Sequence, residues 1–282
     1  MRRKILLLFA AALLPMLAGA QAQINTKKFK IGDFTEKTTK VVLTGNDFFD
    51  SCLKDEVAAR WRISPYEFCT LEEFETLKKD DSFYFLLTTK GQFKKETEPG
   101  LQFLTLIKGG QDAEKGINDM LEIVSMPLAS AVDPSGRELI ILPIFLDIIQ
   151  QYTLDSMEKD IDAYGGLANY TINIASADEM SIVFAEEDLS NEIDETIKTA
   201  MEDSDIEITD EESADNYFTE NTPGTLVSYT VCPSDRKIGS YCYKMLIDAQ
   251  TYGLYYYRKH RLTKKVGPGF LEEDIKRIMD IH

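Results

Sequence analysis

ISPYEFCTLEEFE, residues 63–75, decides the fold, because its outline returns at residues 203–215 as DSDIEITDEESAD. In the first stretch Tyr66 and Phe68 alternate as on one face of a strand that runs into a helix. Ile206 and Ile208 do the same 140 residues later.

Sliding the chain along itself by 140 residues extends the match outward. Phe49, Leu53, Val57 and Trp61 fall on Leu189, Ile193, Ile197 and Met201, an i+4 apolar row that marks one helix face in both copies. Leu86 and Leu87 fall on Leu226 and Val227, and Leu101, Phe103, Leu106 and Ile107 fall on Tyr241, Tyr243, Leu246 and Ile247. Shifted one residue further, FKIGDFTEKTTKVVLTG from Phe29 matches YTINIASADEMSIVFAE from Tyr170 as two short strands each. Self-similarity at one period reports a repeated supersecondary unit.

The sequence therefore predicts a mixed α+β fold made by internal duplication of a β-β-α-β-α-β-β-α unit. Residues 27–126 form the first repeat, 127–168 a helical connector and 169–282 the second repeat. Strand-helix-strand passages favour parallel pairing, and the short later connections favour hairpins. Asn46, Asp47 and Asp188 read as caps and first-turn acids of the long helix. The closing helix of copy one, GGQDAEKGINDML from Gly109, aligns with GPGFLEEDIKRIM from Gly267 at an offset of 158. That assigns 18 extra residues to copy two, an inserted hairpin near 250–266. The connector turns at Pro134, Ser135 and Gly136 before a helix over 138–161, too apolar to be a loose tether.

The chain opens MRRKILLLFAAALLPMLAGAQAQ, in which cations precede an apolar run from Ile5 to Ala20 and small residues in overlapping A-x-A patterns. Residues 1–22 thus read as a secretory signal peptide, shorter than the about 20 apolar residues of a membrane span. No cysteine follows either cleavage point, Ala20 or Ala22, and ELIILPIFLDIIQQY is punctuated by Glu138, Pro143 and Asp147. The expectation is an exported protein of the periplasm, cell surface or extracellular space, with no transmembrane segment in its mature chain.

Formal net charge is −17, and −20 once Arg2, Arg3 and Lys4 leave with the leader. Nucleic acid is therefore not an expected partner, since phosphate contacts need a basic surface. The 15 acids and single base, Lys198, between Glu186 and Glu220 read as a solvated acidic face. EDSDIEITDEE lacks the glycine and ordered spacing of a calcium loop. With only His260 and His282 and no zinc-type cysteine spacing, no metal and no cofactor is expected. Of the four cysteines, Cys232 and Cys242 flank a strand-to-strand connection and are the favoured disulfide, while Cys52 lies on an apolar helix stripe.

What both copies share is scaffold, and what one copy carries alone is a candidate for function. The segment TYGLYYYRKHRLTKK offers Tyr255, Tyr256, Tyr257, Arg258, Lys259 and Arg261 as a partner-binding strip, on which aromatic rings beside cations would grip an envelope protein or anionic glycan. The competing reading has the tyrosines covering the core and the cations balancing acids nearby. Among catalytic patterns, G-x-S-x-G, H-E-x-x-H and G-x-x-x-x-G-K are all absent. The sequence thus favours a non-enzymatic envelope protein, a binding or scaffold module. The alternative is a carboxylate-dependent hydrolase acting on glycan or peptidoglycan.

LTGNDFFDSCLKDEVAARWRISPYEFCT from Leu43 and GSYCYKMLIDAQTYGLYYYRKH from Gly239 resemble segments of a group of uncharacterised exported proteins of the Bacteroidota. The resemblance covers most of the mature chain and implies export from a bacterium of that kind. It implies no activity and no catalytic residues.

Overall fold

A computed structural model describes residues 31–93, 96–159, 165–235 and 238–280, so the leader reading at residues 1–22 lies outside the described residues. The first half runs β1 (Thr38–Val42), α1 (Asp47–Arg60), β2 (Tyr66–Cys69), α2 (Leu71–Leu77), β3 (Phe83–Gly91), β4 (Leu101–Lys108), β5 (Leu121–Ser130) and α3 (Arg137–Glu158). The second repeats that order as β6 (Ser181–Ala185), α4 (Glu195–Glu202), β7 (Ile206–Thr209), α5 (Glu211–Glu220), β8 (Thr225–Val231), β9 (Tyr241–Asp248), β10 (Leu254–Arg261) and α6 (Glu272–Met279). The sheets have orders β2-β1-β3-β4-β5 and β7-β6-β8-β9-β10, each with three parallel strands followed by an antiparallel meander. The fold is mixed α+β, and its halves share one topology.

An irregularity makes the duplication more specific than topology alone. Leu106 pairs with Val124 and Ile107 with Glu122, which leaves Ile123 as a bulge in β5. Leu246 pairs with Tyr256 and Ile247 with Leu254, which leaves Tyr255 as the matching bulge in β10. Bulges re-aim a strand and persist as designed features.

These registers correct the expected unit. The offset is 140 from β4 to β9 (Leu106 to Leu246) but 132 from β5 to β10 (Val124 to Tyr256), so β10 is the counterpart of β5 and not an inserted hairpin. The extra eight residues belong to copy one, between β4 and β5. There GGQDAEKGINDML forms two 3-10 turns, Gln111–Glu114 and Ile117–Asp119, instead of a helix. Gly110 and Gly116, at φ 153° and 133°, stop helical propagation at the entry to each. The first repeat therefore runs through its fifth strand to Ser130, and the expected connector helix stands at Arg137–Glu158 as α3, which matches α6 in element order.

Among the described residues the leading strand of each expected pair is also not formed. Residues 34–36 and 166–176 are 3-10 segments. Ile31 and Phe34 are buried three residues apart, and Ile174 is buried while Ile172 is 79% exposed, which is a helical period and not an alternating one. Asn46 does cap α1, accepting from the Phe48 and Phe49 amides. Its proposed partner Asp188 is no cap: α4 starts later, on Asp194.

The halves stack front to back. In sheet one Val41, Tyr84, Leu106 and Val124 face the large shared core, with Leu53 and Val57 of α1 and most of α3. Their counterparts Phe184, Leu226, Leu246 and Tyr256 face the outer cluster of sheet two, with Met201 of α4 and Ile275 of α6. Conversely, Phe74 of α2 packs on the outer face of sheet one, whereas its counterpart Ala214 of α5 lies in the shared core. Buried α3 residues such as Ile141, Phe145 and Ile149 bind the two sheets into one interior. Among the described residues α3 alone is long and apolar enough to cross a bilayer, and here it is mostly buried within the protein. Cys232 and Cys242 are bridged, tying the end of β8 to β9, while Cys52 and Cys69 remain thiols.

Candidate functional site

The Tyr255–Arg261 segment is divided by its strand. Tyr256 is fully buried, its hydroxyl donating to Asp274 at 2.6 Å, and Arg258 reaches the same carboxylate at 3.2 Å. Lys244 also binds Asp274, so these groups neutralise the base of α6. Burial pushes the Tyr256 hydroxyl pKa up and that of Tyr257 well up. The outer edge of β10 is covered as well: the Thr171 hydroxyl donates to the Tyr257 carbonyl and accepts from its amide, and Asn173 donates to the Leu254 carbonyl. A continuous aromatic strip is therefore not presented to solvent, because the consecutive Tyr256 and Tyr257 are both buried, the first in the outer cluster of sheet two and the second in the shared core. Lys259 and Arg261 are exposed, and Tyr255 is half-buried.

Tyr255 lines a groove of about 660 Å³ between the halves, with Arg60, Asp147, Asp155, Tyr170 and Tyr252. Arg60 stacks 5.0 Å from the Tyr252 ring and pairs with Asp147 at 2.9 Å, and Tyr170 donates to Asp155 at 2.6 Å. Burial raises the pKa of Asp147. The two carboxylates stand eight residues apart on α3, about 12 Å along the axis at 1.5 Å per residue. Glycoside hydrolysis needs carboxyls about 5–9.5 Å apart, and each of these is already held by its own partner.

In open parallel sheets ligands collect at the carboxyl ends of strands where the crossover direction reverses. Here that point lies beside β1 and β3 in one half, and beside β6 and β8 in the other. The second site is filled. Arg137, first residue of α3, enters it from the other half and grips Asp215 with Nε and Nη2 at 2.9 and 2.8 Å. Its Nη1 reaches Asp188 at 3.2 Å and Glu211 at 3.3 Å, and its guanidinium lies 4.8 Å from the Tyr229 ring. Burial opposes the charge on Arg137, but Asp188 and Asp215 outweigh it and hold the group protonated. Burial and the neighbouring acids raise the pKa of both Asp215 and Glu211 above the usual carboxylate value.

The first site is open. A cleft of about 720 Å³ lies over the ends of β1 and β3, walled by Leu43, Phe48, Phe49, Leu71, Leu87 and Leu139. Asn46, Lys90, Gln102 and Glu138 line it too. Glu138 already accepts from the Gly136 amide at 2.8 Å. Phe48 and Leu71 are 68% and 54% exposed, and Val132 is exposed in the β5–α3 connection that forms one wall. Phe48 and Leu71 had not been singled out in the sequence. Their signals were present: Phe48 sits beside the apolar row of Phe49 and Leu53, hence off the buried face, and Leu71 falls on Glu211 in the 140-residue register. Arg137, likewise unmarked, is the single cation between Lys115 and Lys159.

Among the described residues no group of three or more His, Cys, Asp or Glu is placed to hold a metal ion. The chain matches no known protein family, no curated protein and no solved structure.

Proposed function

We propose that this protein is an exported, non-enzymatic binding module of the cell envelope whose partner occupies the cleft at the ends of β1 and β3. The observation that carries the reading is the asymmetry of the duplicated switch points: one is closed by the chain's own Arg137, while the other is open and edged by Phe48 and Leu71. Exposed large apolar side chains grouped at a concave surface mark interaction sites. The lining polar groups of this cleft include a single carboxylate, Glu138, which suits recognition better than acid–base chemistry.

A photoreactive amino acid in place of Phe48, with one in place of Ile172 as an exposed control, tests this in cells. Fractionation of the same cells follows the chain to the envelope. The expected result is a discrete covalent adduct from position 48 and none from position 172. Equal adducts from both positions, or none from position 48, would overturn it.

A further inference from the structure

The two switch points are related by duplication yet opposite in chemistry, and the contrast identifies what the open one takes. In the second half the site presents three carboxylates, those of Asp188, Glu211 and Asp215, and is closed by a chain segment, Gly136–Arg137, that inserts one cation. The β1–β2 and β6–β7 registers equate Val42 with Ala185 and Cys69 with Thr209. Carried forward without gaps, they put Gly45 in the place of Asp188, Leu71 in the place of Glu211 and Glu75 in the place of Asp215. Glu75 is paired with Lys78. The open site has therefore lost the anionic cage and gained an isobutyl side chain at its rim.

We infer that the cleft seats a polypeptide segment of a partner protein, entering as Gly136–Arg137 enters the other half, and that the side chain it inserts is apolar. The inference rests on the reading of this cleft as the binding face. A polypeptide is favoured because the equivalent surface already receives one, within an interface the fold itself displays. An arginine or lysine anchor is disfavoured, since it would be desolvated against Leu71 and Phe48 with the single carboxylate of Glu138 in place of the three that hold Arg137. A second copy of the chain is disfavoured by charge, because each mature chain carries a formal −20 after loss of three leader cations.

The probe is a phage-displayed library of random twelve-residue peptides selected on residues 23–282. Affinities of enriched peptides are then measured for the wild type and for Leu71→Glu, Phe48→Ser and Ile172→Ser. Leu71 is the first residue of α2, where a carboxylate is favoured by the helix dipole, so Leu71→Glu is expected to fold, and thermal melting checks this. The expected result is a shared Leu, Ile, Met or Phe anchor whose peptides bind at least tenfold more weakly to Leu71→Glu and Phe48→Ser and unchanged to Ile172→Ser. Selection on Leu71→Glu itself should shift the anchor toward Arg or Lys. Cationic anchors on the wild type, indifference to both cleft variants, or failure to enrich any peptide would overturn the inference. Adducts at position 48 combined with any of those results would keep the binding face and remove this occupant, whereas no adducts and no peptides would remove both.

Discussion

The Arg137 guanidinium and the Asp215 carboxylate, 78 residues apart and from opposite halves, meet in a two-nitrogen grip with Nη2–Oδ1 2.8 Å. Arg137 is 7% exposed. Removing one partner strands a buried charge, so Arg137→Met is expected to cost about 3–5 kcal/mol in urea unfolding. Asp215→Asn should cost less, because Asp188 and Glu211 still face the guanidinium. Additive effects in the double variant would show that the two groups do not act as a pair.

A core residue and a cleft residue of the same size should behave oppositely. Phe145 on α3 is fully buried and packs edge-on to Tyr229 at 5.9 Å, so Phe145→Ala is expected to lose about 3–5 kcal/mol of stability. Phe48→Ala, at an exposed position, should stay within about 0.5 kcal/mol of wild type. A large loss from Phe48→Ala would mean that the cleft wall is structural.

The Cys232–Cys242 bridge closes a loop of sequence separation 10. Chain entropy predicts a loss of about 2–3 kcal/mol in the double serine variant. Equal stability with and without reductant would argue against the bridge in solution.

Acid stability should depend on Asp33. Burial opposes its charge, but hydrogen bonds from Lys37, Tyr84 and Lys108 hold its carboxyl well below the usual carboxylate range. A carboxyl depressed in the folded chain contributes stability above its unfolded pKa of about 3.9 and loses that contribution as pH falls toward the folded value. Wild type is therefore expected to lose more stability than Asp33→Asn between about pH 5 and pH 2. Urea titrations across that range check it, and parallel curves for the two proteins would refute it.

Much of this architecture was legible where apolar spacing is strong. The strands at Tyr66–Cys69 and Ile206–Thr209, the helix at Asp47–Arg60 and the repeat itself are written in local periodicity. The errors arose where periodicity is ambiguous. Leu121–Ser130 reads MPLAS across Pro127, which obscures a strand, and its true partner lies 132 residues away, outside the dominant register. The candidate site was largely hidden for a different reason. An open cleft is a property of what fails to cover Phe48 and Leu71, and only the placement of α3 reveals that Arg137 fills one switch point and leaves the other empty.

Front-to-back stacking joins two unlike surfaces, so it is a heterologous contact inside one chain and leaves one face of each kind outward. Each molecule thus ends in two unlike faces, one from each sheet. One end is stoppered by the eight-residue excess between β4 and β5, whose Ala113, Ile117 and Met120 lie on the outer cluster of sheet one. The other is roofed by α4 and α6, in a half whose stretch from Glu186 to Glu220 carries a net charge of −14. Both outward faces of the stacked pair are therefore covered by the chain's own elements, and the two covers differ.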